Sequence, residues 1–336
     1  MDAGLVVAVT LALAFALTNG FHDASNAIAA LVATRAAKPL QAIALAAVFN
    51  MLGPLLVGAA VANTIAKIVD VPASEMVAVV GSGLLAATTW NLITWWRGLP
   101  SSSAHALVGG LVGAALVEGG VDAVNWGGFD GWRPVGVIGT LVVLAVSPVI
   151  GGVAAFVALR GLQRLLRRAT TRFRAPVNAG QWVGSAALAF SHGSNDAQKA
   201  VGVIAALLLA SGRTDSLSAP LWATVAPAAM LTLGTALGGW RIVRTIGQRI
   251  YRIRPLDGLS SQASSSTVIL GASFLGAPVS TTHVVASSIV GIGVGRRRWR
   301  HVRWLIVRDI GVAWLTTIPA SAALAAVALI LWRWIA

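Results

Sequence analysis

Asn19-Gly20-Phe21-His22-Asp23-Ala24-Ser25-Asn26-Ala27 interrupts an apolar run that begins near residue 4. It returns in altered form as Ser191-His192-Gly193-Ser194-Asn195-Asp196-Ala197-Gln198-Lys199-Ala200. A second pair of motifs is Pro100-Ser101-Ser102-Ser103-Ala104-His105 and Pro278-Val279-Ser280-Thr281-Thr282-His283. Asp23 and Asp196 stand 173 residues apart, and His105 and His283 stand 178 apart. Two pairs with nearly one offset argue for duplication. A carboxylate inside long apolar sequence is expensive in lipid and is a functional candidate by default. The same expense in both halves is the pattern of one site shared by two repeats.

The surrounding composition is that of a membrane protein. Of 336 residues, 57% are hydrophobic and 11% charged, with a mean hydropathy of +0.79. Soluble domains carry about 25% charged residues, so this chain lacks the polar surface for a soluble life. Apolar stretches near the ~20 residues that cross a bilayer recur throughout. They lie at about 4–34, 40–66, 77–96, 102–118, 134–159, 181–210, 219–243, 259–275, 278–294 and 303–335. The last is too long for one ordinary span, and Pro319 is expected to kink or split it. The runs are continuous rather than alternating, which excludes a β-barrel. Residues 5–18 lead straight into the first motif, so no cleavable signal is expected. The expected fold class is an all-α polytopic membrane protein with about 10–12 transmembrane or re-entrant helices.

A net charge of +14 would suggest nucleic acid as a partner of a soluble protein. Here the cations gather in short loops, so membrane lipids are the expected partner and nucleic acid is not. If every segment crosses or pairs up, one side carries Arg35, Lys38, Arg97, Arg160, Arg164, Arg167, Arg168, Arg172 and Arg174. The same side carries Arg241, Arg244, Arg249, Arg252, Arg254, Arg296, Arg297, Arg298, Arg300 and Arg303. Asp70, Glu75, Glu118, Asp122, Asp130 and Asp215 fall opposite. The basic side is read as cytoplasmic, which places a multi-pass chain in the plasma (inner) membrane with its N-terminus outside. Trp95, Trp96, Trp299, Trp304, Trp332 and Trp334 stand near span ends, as interface anchors do. Roughly five segments precede the Arg160–Arg174 stretch and five or six follow it, and an odd number per repeat turns the second upside down. The expected organisation is a first repeat over 1–160, a basic cytoplasmic linker over 161–179 and an inverted second repeat over 180–336. Cysteine is absent, so neither disulfides nor thiolate chemistry enter. A homo-oligomer is compatible with all of this.

Most acidic residues fall in loops or near the termini; within apolar sequence stand Asp23, Asp196 and Asp309, the last beside Arg308. Asp23 and Asn26 are one helical turn apart and share a face, and Asp196 and Lys199 repeat the spacing. Gly20 and Gly193, three residues earlier, can break a helix and expose backbone groups. Carboxylate, amide oxygen and freed carbonyls form a hard-oxygen set suited to Na⁺ or another small cation. The Pro-Ser-Ser-Ser and Pro-Val-Ser-Thr-Thr elements offer the complement. Proline favours a first helical turn and Ser/Thr a cap, so a helix starting there presents amides, hydroxyls and a positive dipole end. That is an anion site. Two of them could enclose a tetrahedral oxyanion, and phosphate suits this because its remaining proton can be given to Asp23 or Asp196. Irregular backbone at membrane depth is tolerated where protein buries it, so these elements are expected as hairpin tips that meet a site, or else as turns between full spans.

Plainer readings exist for each residue. Ser25, Ser194 and Asn50 taken singly read as interhelical glue. Lys199 can neutralise Asp196, His22 and His192 can be proton carriers or packing residues, and His105 and His283 can each bond a carbonyl.

Residues 19–29, 191–200 and 278–283 resemble the signatures of the inorganic phosphate transporter family, which includes bacterial low-affinity carriers and eukaryotic sodium–phosphate symporters. The likeness spans both halves, and the short chain resembles the bacterial branch. It implies inverted repeats around a central site, and import of inorganic phosphate by symport with H⁺ or Na⁺, without another cofactor. By motif position it implies that Asp23, Asn26, Asn195 and Asp196, with His22, serve the cation, Asp23 and Asp196 holding Na⁺ if sodium couples. It implies phosphate contacts from Ser101, Ser102, Ser103, Ser280, Thr281 and Thr282, joined by Asn26 and Lys199. His22-Asp23 stands where many members have Asn-Asp, which favours proton coupling.

Rival readings keep the fold and change the cargo to sulfate or a metal–phosphate complex, or make the path a passive anion channel. An intramembrane metalloenzyme using His22-Asp23 and His192 with Asp196 is disfavoured, since zinc sites need three protein ligands and no His-Glu-x-x-His occurs. The chain is not expected to be an enzyme.

Overall fold

Each apolar run becomes helix in the computed structural model, which describes residues 2–168, 173–239, 242–243 and 245–335. Arg172, Arg241 and Arg244 lie outside the described residues. In chain order the helices are α1 (Ala3–Ala33), α2 (Pro39–Leu56), α3 (Ala60–Ala66), α4 (Ala73–Arg97), α5 (Ser103–Gly119) and α6 (Gly136–Leu165). They continue as α7 (Arg174–Ala210), α8 (Leu221–Leu237), α9 (Pro255–Phe274), α10 (Thr281–Gly295) and α11 (Trp304–Ile335). Among the described residues, six helices are long and apolar enough to cross a membrane: α1, α2, α4, α6, α11, and α5 with the turn that follows it. The chain is an integral membrane protein of helices.

Three expectations are corrected. The 40–66 run is two helices, parted at residues 57–59 where Gly58 takes a φ of +86°. Pro319 does not split the last run, and α11 passes through it unbroken. A membrane helix tolerates proline where neighbours close around it, and here the backbone of Ile318 lies against Gly109 of α5. The all-α class holds, and one short ribbon accompanies the helices, with Gly128–Asp130 (β1) pairing antiparallel with Arg133–Val135 (β2). Gly131 turns that ribbon with a φ of +59°, as a two-residue hairpin requires. Finally, α6 and α7 reach into the basic segment from both sides, so less of 161–179 is loop than expected.

The two halves pack reciprocally. α1 lies on α8 as α7 lies on α2, α4 and α5 pack on α11, and α9 and α10 pack on α6. The last helix of each half therefore covers the hairpin of the other. Hydrogen bonds join Thr34 to Gln181 (2.7 Å) and Trp182 to the Ala36 carbonyl (3.1 Å), and Arg296 pairs with Asp257 (2.7 Å). These gather the basic ends, while the Asp70 amide on the Ala123 carbonyl (2.9 Å) gathers acidic ones. One apolar core takes Leu5 to Ala16 of α1 and Ala200 to Leu208 of α7, and a second takes Ala27 to Leu31 and Leu188 to Ala189. The polar motifs occupy the layer between the cores.

Candidate functional site

Gly20 and Gly193 position the site by closeness, which corrects the expectation that they break their helices. α1 and α7 run straight through them. A Cβ at Gly20 would strike the Leu231 carbonyl of α8, and one at Gly193 the Asn50 carbonyl of α2. Helices in lipid approach this closely only through small residues. The oxygen ligands thus come from side chains rather than from freed backbone.

The serine and threonine motifs form two hairpin tips built alike. Gly98 ends α4 and Gly276 ends α9, with φ of +66° and +70°. In each, the residue after the glycine bonds back five positions: Leu99 to the Thr94 carbonyl (3.0 Å) and Ala277 to that of Ala272 (2.9 Å). This is the glycine-terminated end that lets a helix stop within protein. Pro100 and Pro278 precede the next helix instead of lying in its first turn, a further difference from the sequence reading. The carbonyl of Pro100 is held by the Trp314 indole at 3.2 Å. Ser102 and Ser280 then cap α5 and α10, accepting from the amides of His105 (3.2 Å) and His283 (3.3 Å). Pro100 to Ser103 and Pro278 to Thr282 are all buried, so these are tips enclosed by protein.

Both tips meet the aspartates. Ser103 donates to Asp23 Oδ2 at 3.0 Å, and Thr281, its counterpart 178 residues on, donates to Asp196 Oδ2 at 2.8 Å. Thr282 crosses to the other half and donates to Asp23 Oδ1 at 2.6 Å. The Asn26 amide donates to both Thr281 (3.2 Å) and Thr282 (3.1 Å). His22 faces Asp23 with Nδ1 at 3.0 Å and Thr94 and Ser101 with Nε2 at 3.2 and 3.3 Å. His192 Nε2 lies 2.8 Å from Asp196 Oδ2, and its Nδ1 is 3.0 Å from Asn50 Oδ1. Lys199 donates to Asp196 Oδ1 and, at 3.0 Å, to the Val279 carbonyl. Asp23 and Asp196 are each 1% exposed. Oxygen and nitrogen atoms of Asp23, His192 and Asp196 all fall within 4.8 Å of one another. Carboxylates from the two halves therefore converge on one closed polar centre.

Other expected residues fall close by with different partners. Asn195 turns its amide away, to Ser273 and to the Ala277 carbonyl, both at 3.1 Å. The side-chain oxygens of Asn26 and Asn195 are buried without a partner among the described residues. His105 bonds the Ser102 hydroxyl at 2.7 Å rather than a carbonyl, and its ring lies 4.7 Å from that of His283, which stacks on Trp314. Asp309 is over half exposed beside Arg308, away from this centre.

Sequence reading missed several partners. Asn19 accepts from Ser103 at 2.7 Å, Thr94 accepts from Ser101 at 2.9 Å, and Thr235 accepts from Asn50 at 2.9 Å. Asn50 is glue between helices, as its plainer reading had it, and it also holds His192. Asn19 could have been found from the offset, since 173 residues separate it from His192. Thr94 and Thr235 carry no signal beyond a hydroxyl in an apolar run.

Comparison with known proteins bears on what this centre serves. The profile of the "Phosphate transporter family" matches residues 19–179 and 166–325, one stretch in each half. A Bacillus subtilis protein named "Probable low-affinity inorganic phosphate transporter" is 41% identical over 339 residues, covering 98% of each chain. A Rhizobium meliloti protein of the same name is 38% identical, covering 96% of this chain and 94% of its own. The solved structure titled "The sodium-dependent phosphate transporter" aligns with a TM-score of 0.86 at 26% identity, covering 99% of this chain and 100% of that one.

Proposed function

This chain belongs to the phosphate transporter family, and we propose on that footing that it imports inorganic phosphate across the plasma membrane by symport with a cation, H⁺ or Na⁺. The observation that carries the coupling is the sharing of donors at the centre. As the structure stands, the hydroxyls of Ser103, Thr281 and Thr282 are spent on the two aspartates. A proton or Na⁺ taken up at this centre competes for the carboxylate oxygens and releases hydroxyls from them. The released hydroxyls, with the Asn26 amide and the α5 and α10 helix starts, then donate to a tetrahedral anion. Lys199, held on Asp196 and the Val279 carbonyl, adds positive charge. The arrangement supports an order of cation first and phosphate second, with movement of one bundle against the other changing access.

The two-repeat organisation, with inversion of the second, is part of this reading; the reciprocal packing of the halves supports it. So is the orientation, with the gathered basic ends cytoplasmic. The test is uptake of labelled phosphate into proteoliposomes with sodium and pH gradients imposed separately. Gradient-driven uptake by the wild type is expected, with loss in Asp23→Asn and in Asp196→Asn. Uptake that survives both substitutions defeats the mechanism.

One observation favours a second reading. An imidazole beside two carboxylates is a donor set for a divalent metal as well as for a monovalent cation, so the cargo can be a metal–phosphate complex. That reading requires metal and phosphate to enter together in fixed proportion, which double-label uptake measures.

A further inference from the structure

Asn26 and Lys199 hold one position in the two halves. Each follows its aspartate by three residues, and the 173-residue offset that relates Asp23 to Asp196 relates them as well. Their side chains behave differently. Lys199 is fully buried, with its ammonium on Asp196 and on the Val279 carbonyl. Asn26 spends its amide nitrogen on Thr281 and Thr282 and leaves its oxygen buried and, among the described residues, unpartnered, one turn from Asp23. The first half thus offers a carboxylate and a free amide oxygen, a pair that suits a small hard cation. The second half offers the same carboxylate with a cation already tethered to it. Histidines aside, two carboxylates and one ammonium leave one negative charge, which one monovalent cation cancels. Without the lysine the centre would hold two, and buried charge calls for a partner.

We propose that Lys199 is a resident cation: its ammonium permanently fills the cation position of the second half, so that one cation exchanges per cycle, at Asp23 and Asn26. This rests on the cation-coupled reading above and fixes its stoichiometry. The spacing permits it, because i and i+3 side chains meet on one helix face. A lysine carries its charge as a compact ammonium on a flexible stem, the nearest side-chain substitute for a bound monovalent ion.

Lys199→Asn gives the second half the residue of the first and is the direct test. With purified full-length protein and no phosphate present, NaCl should raise the unfolding temperature of K199N more than that of the wild type, and choline chloride should not. The slope of log phosphate affinity against log sodium concentration should rise by about one over the wild type, as linkage to one added ion requires. Lys199→Met, which brings no oxygen, should show neither change. A K199N protein that responds to sodium no more than the wild type overturns the proposal. If K199N does not fold, the converse variant Asn26→Lys decides. A second tethered ammonium should leave labelled-phosphate exchange without cation dependence, and full cation dependence in N26K overturns the proposal equally. The sodium-specific stabilisation is read without phosphate, so it stands whether or not phosphate is the cargo. A wild type that takes up no phosphate defeats the transport reading alone.

Discussion

Thr281 and Thr282 are neighbours on one tip, yet each bonds the aspartate of a different half. No other adjacent pair in the centre does this among the described residues. Thr282→Val removes a donor from Asp23 and an acceptor from Asn26 while nearly keeping the shape. Leaving buried polar atoms unpaired costs about 1–3 kcal/mol. The expected outcome is a lower unfolding temperature in detergent and a phosphate uptake reduced at least tenfold, since about 1.4 kcal/mol is a factor of ten. Thr282→Ser, which keeps the hydroxyl, should restore both. At this scale the sequence was informative where chemistry is scarce. Two aspartates in apolar surroundings identify themselves, and the offset finds their partners. It was silent where chemistry is common, because Thr94 and Thr235 look like any hydroxyl that could bond its own helix.

Helices show the same division. Their number and rough extent follow from apolar runs, and the caps at Ser102 and Ser280 follow from residue type. What a glycine does inside a helix does not follow, because breaking a helix and admitting a neighbour both require the absent Cβ. Gly20 and Gly193 turned out to be crossings. Alanine at an exposed helical glycine gains up to about 1 kcal/mol of helix propensity, so a crossing glycine is recognised when alanine destabilises instead. Overpacking costs about 1–3 kcal/mol, and at Gly20 and Gly193 the obstacle is backbone, which yields least. Gly20→Ala and Gly193→Ala should therefore lower the yield of monodisperse protein in size-exclusion chromatography. Gly271→Ala in α9, where nothing lies within 4 Å of the added carbon, should not. The break at Gly58 and the β1–β2 ribbon escaped sequence reading for another reason, since short irregular pieces carry little periodicity.

On the scale of the whole molecule, the halves interleave. A carbon added at Gly152 of α6 would lie 3.9 Å from the Cβ of Ser287 in α10, within the 3.5–4.5 Å that a disulfide spans. The chain contains no cysteine, so the double variant Gly152→Cys with Ser287→Cys has one way to oxidise. It should lose free thiols under mild oxidant in native membranes, measured by maleimide labelling, and a double variant that keeps them would show that α6 does not lie on α10. Duplication was legible in the motif offsets. The exchange of terminal helices was not, because both arrangements place the same residues on the same helix faces.

That exchange has a consequence for how the chain is made. The hairpin of α4 and α5 is covered by α11, through Ser321 on the Ala106 carbonyl and Trp90 on Thr317. A ribosome delivers α11 after α1 to α10. Until then the first hairpin waits in the membrane without the bonds from Trp314, Thr317 and Ser321. Because α11 follows α10 in the chain, the first tip receives its cover only after the second tip has been made, so sealing comes after both sets of hydroxyls are in the membrane.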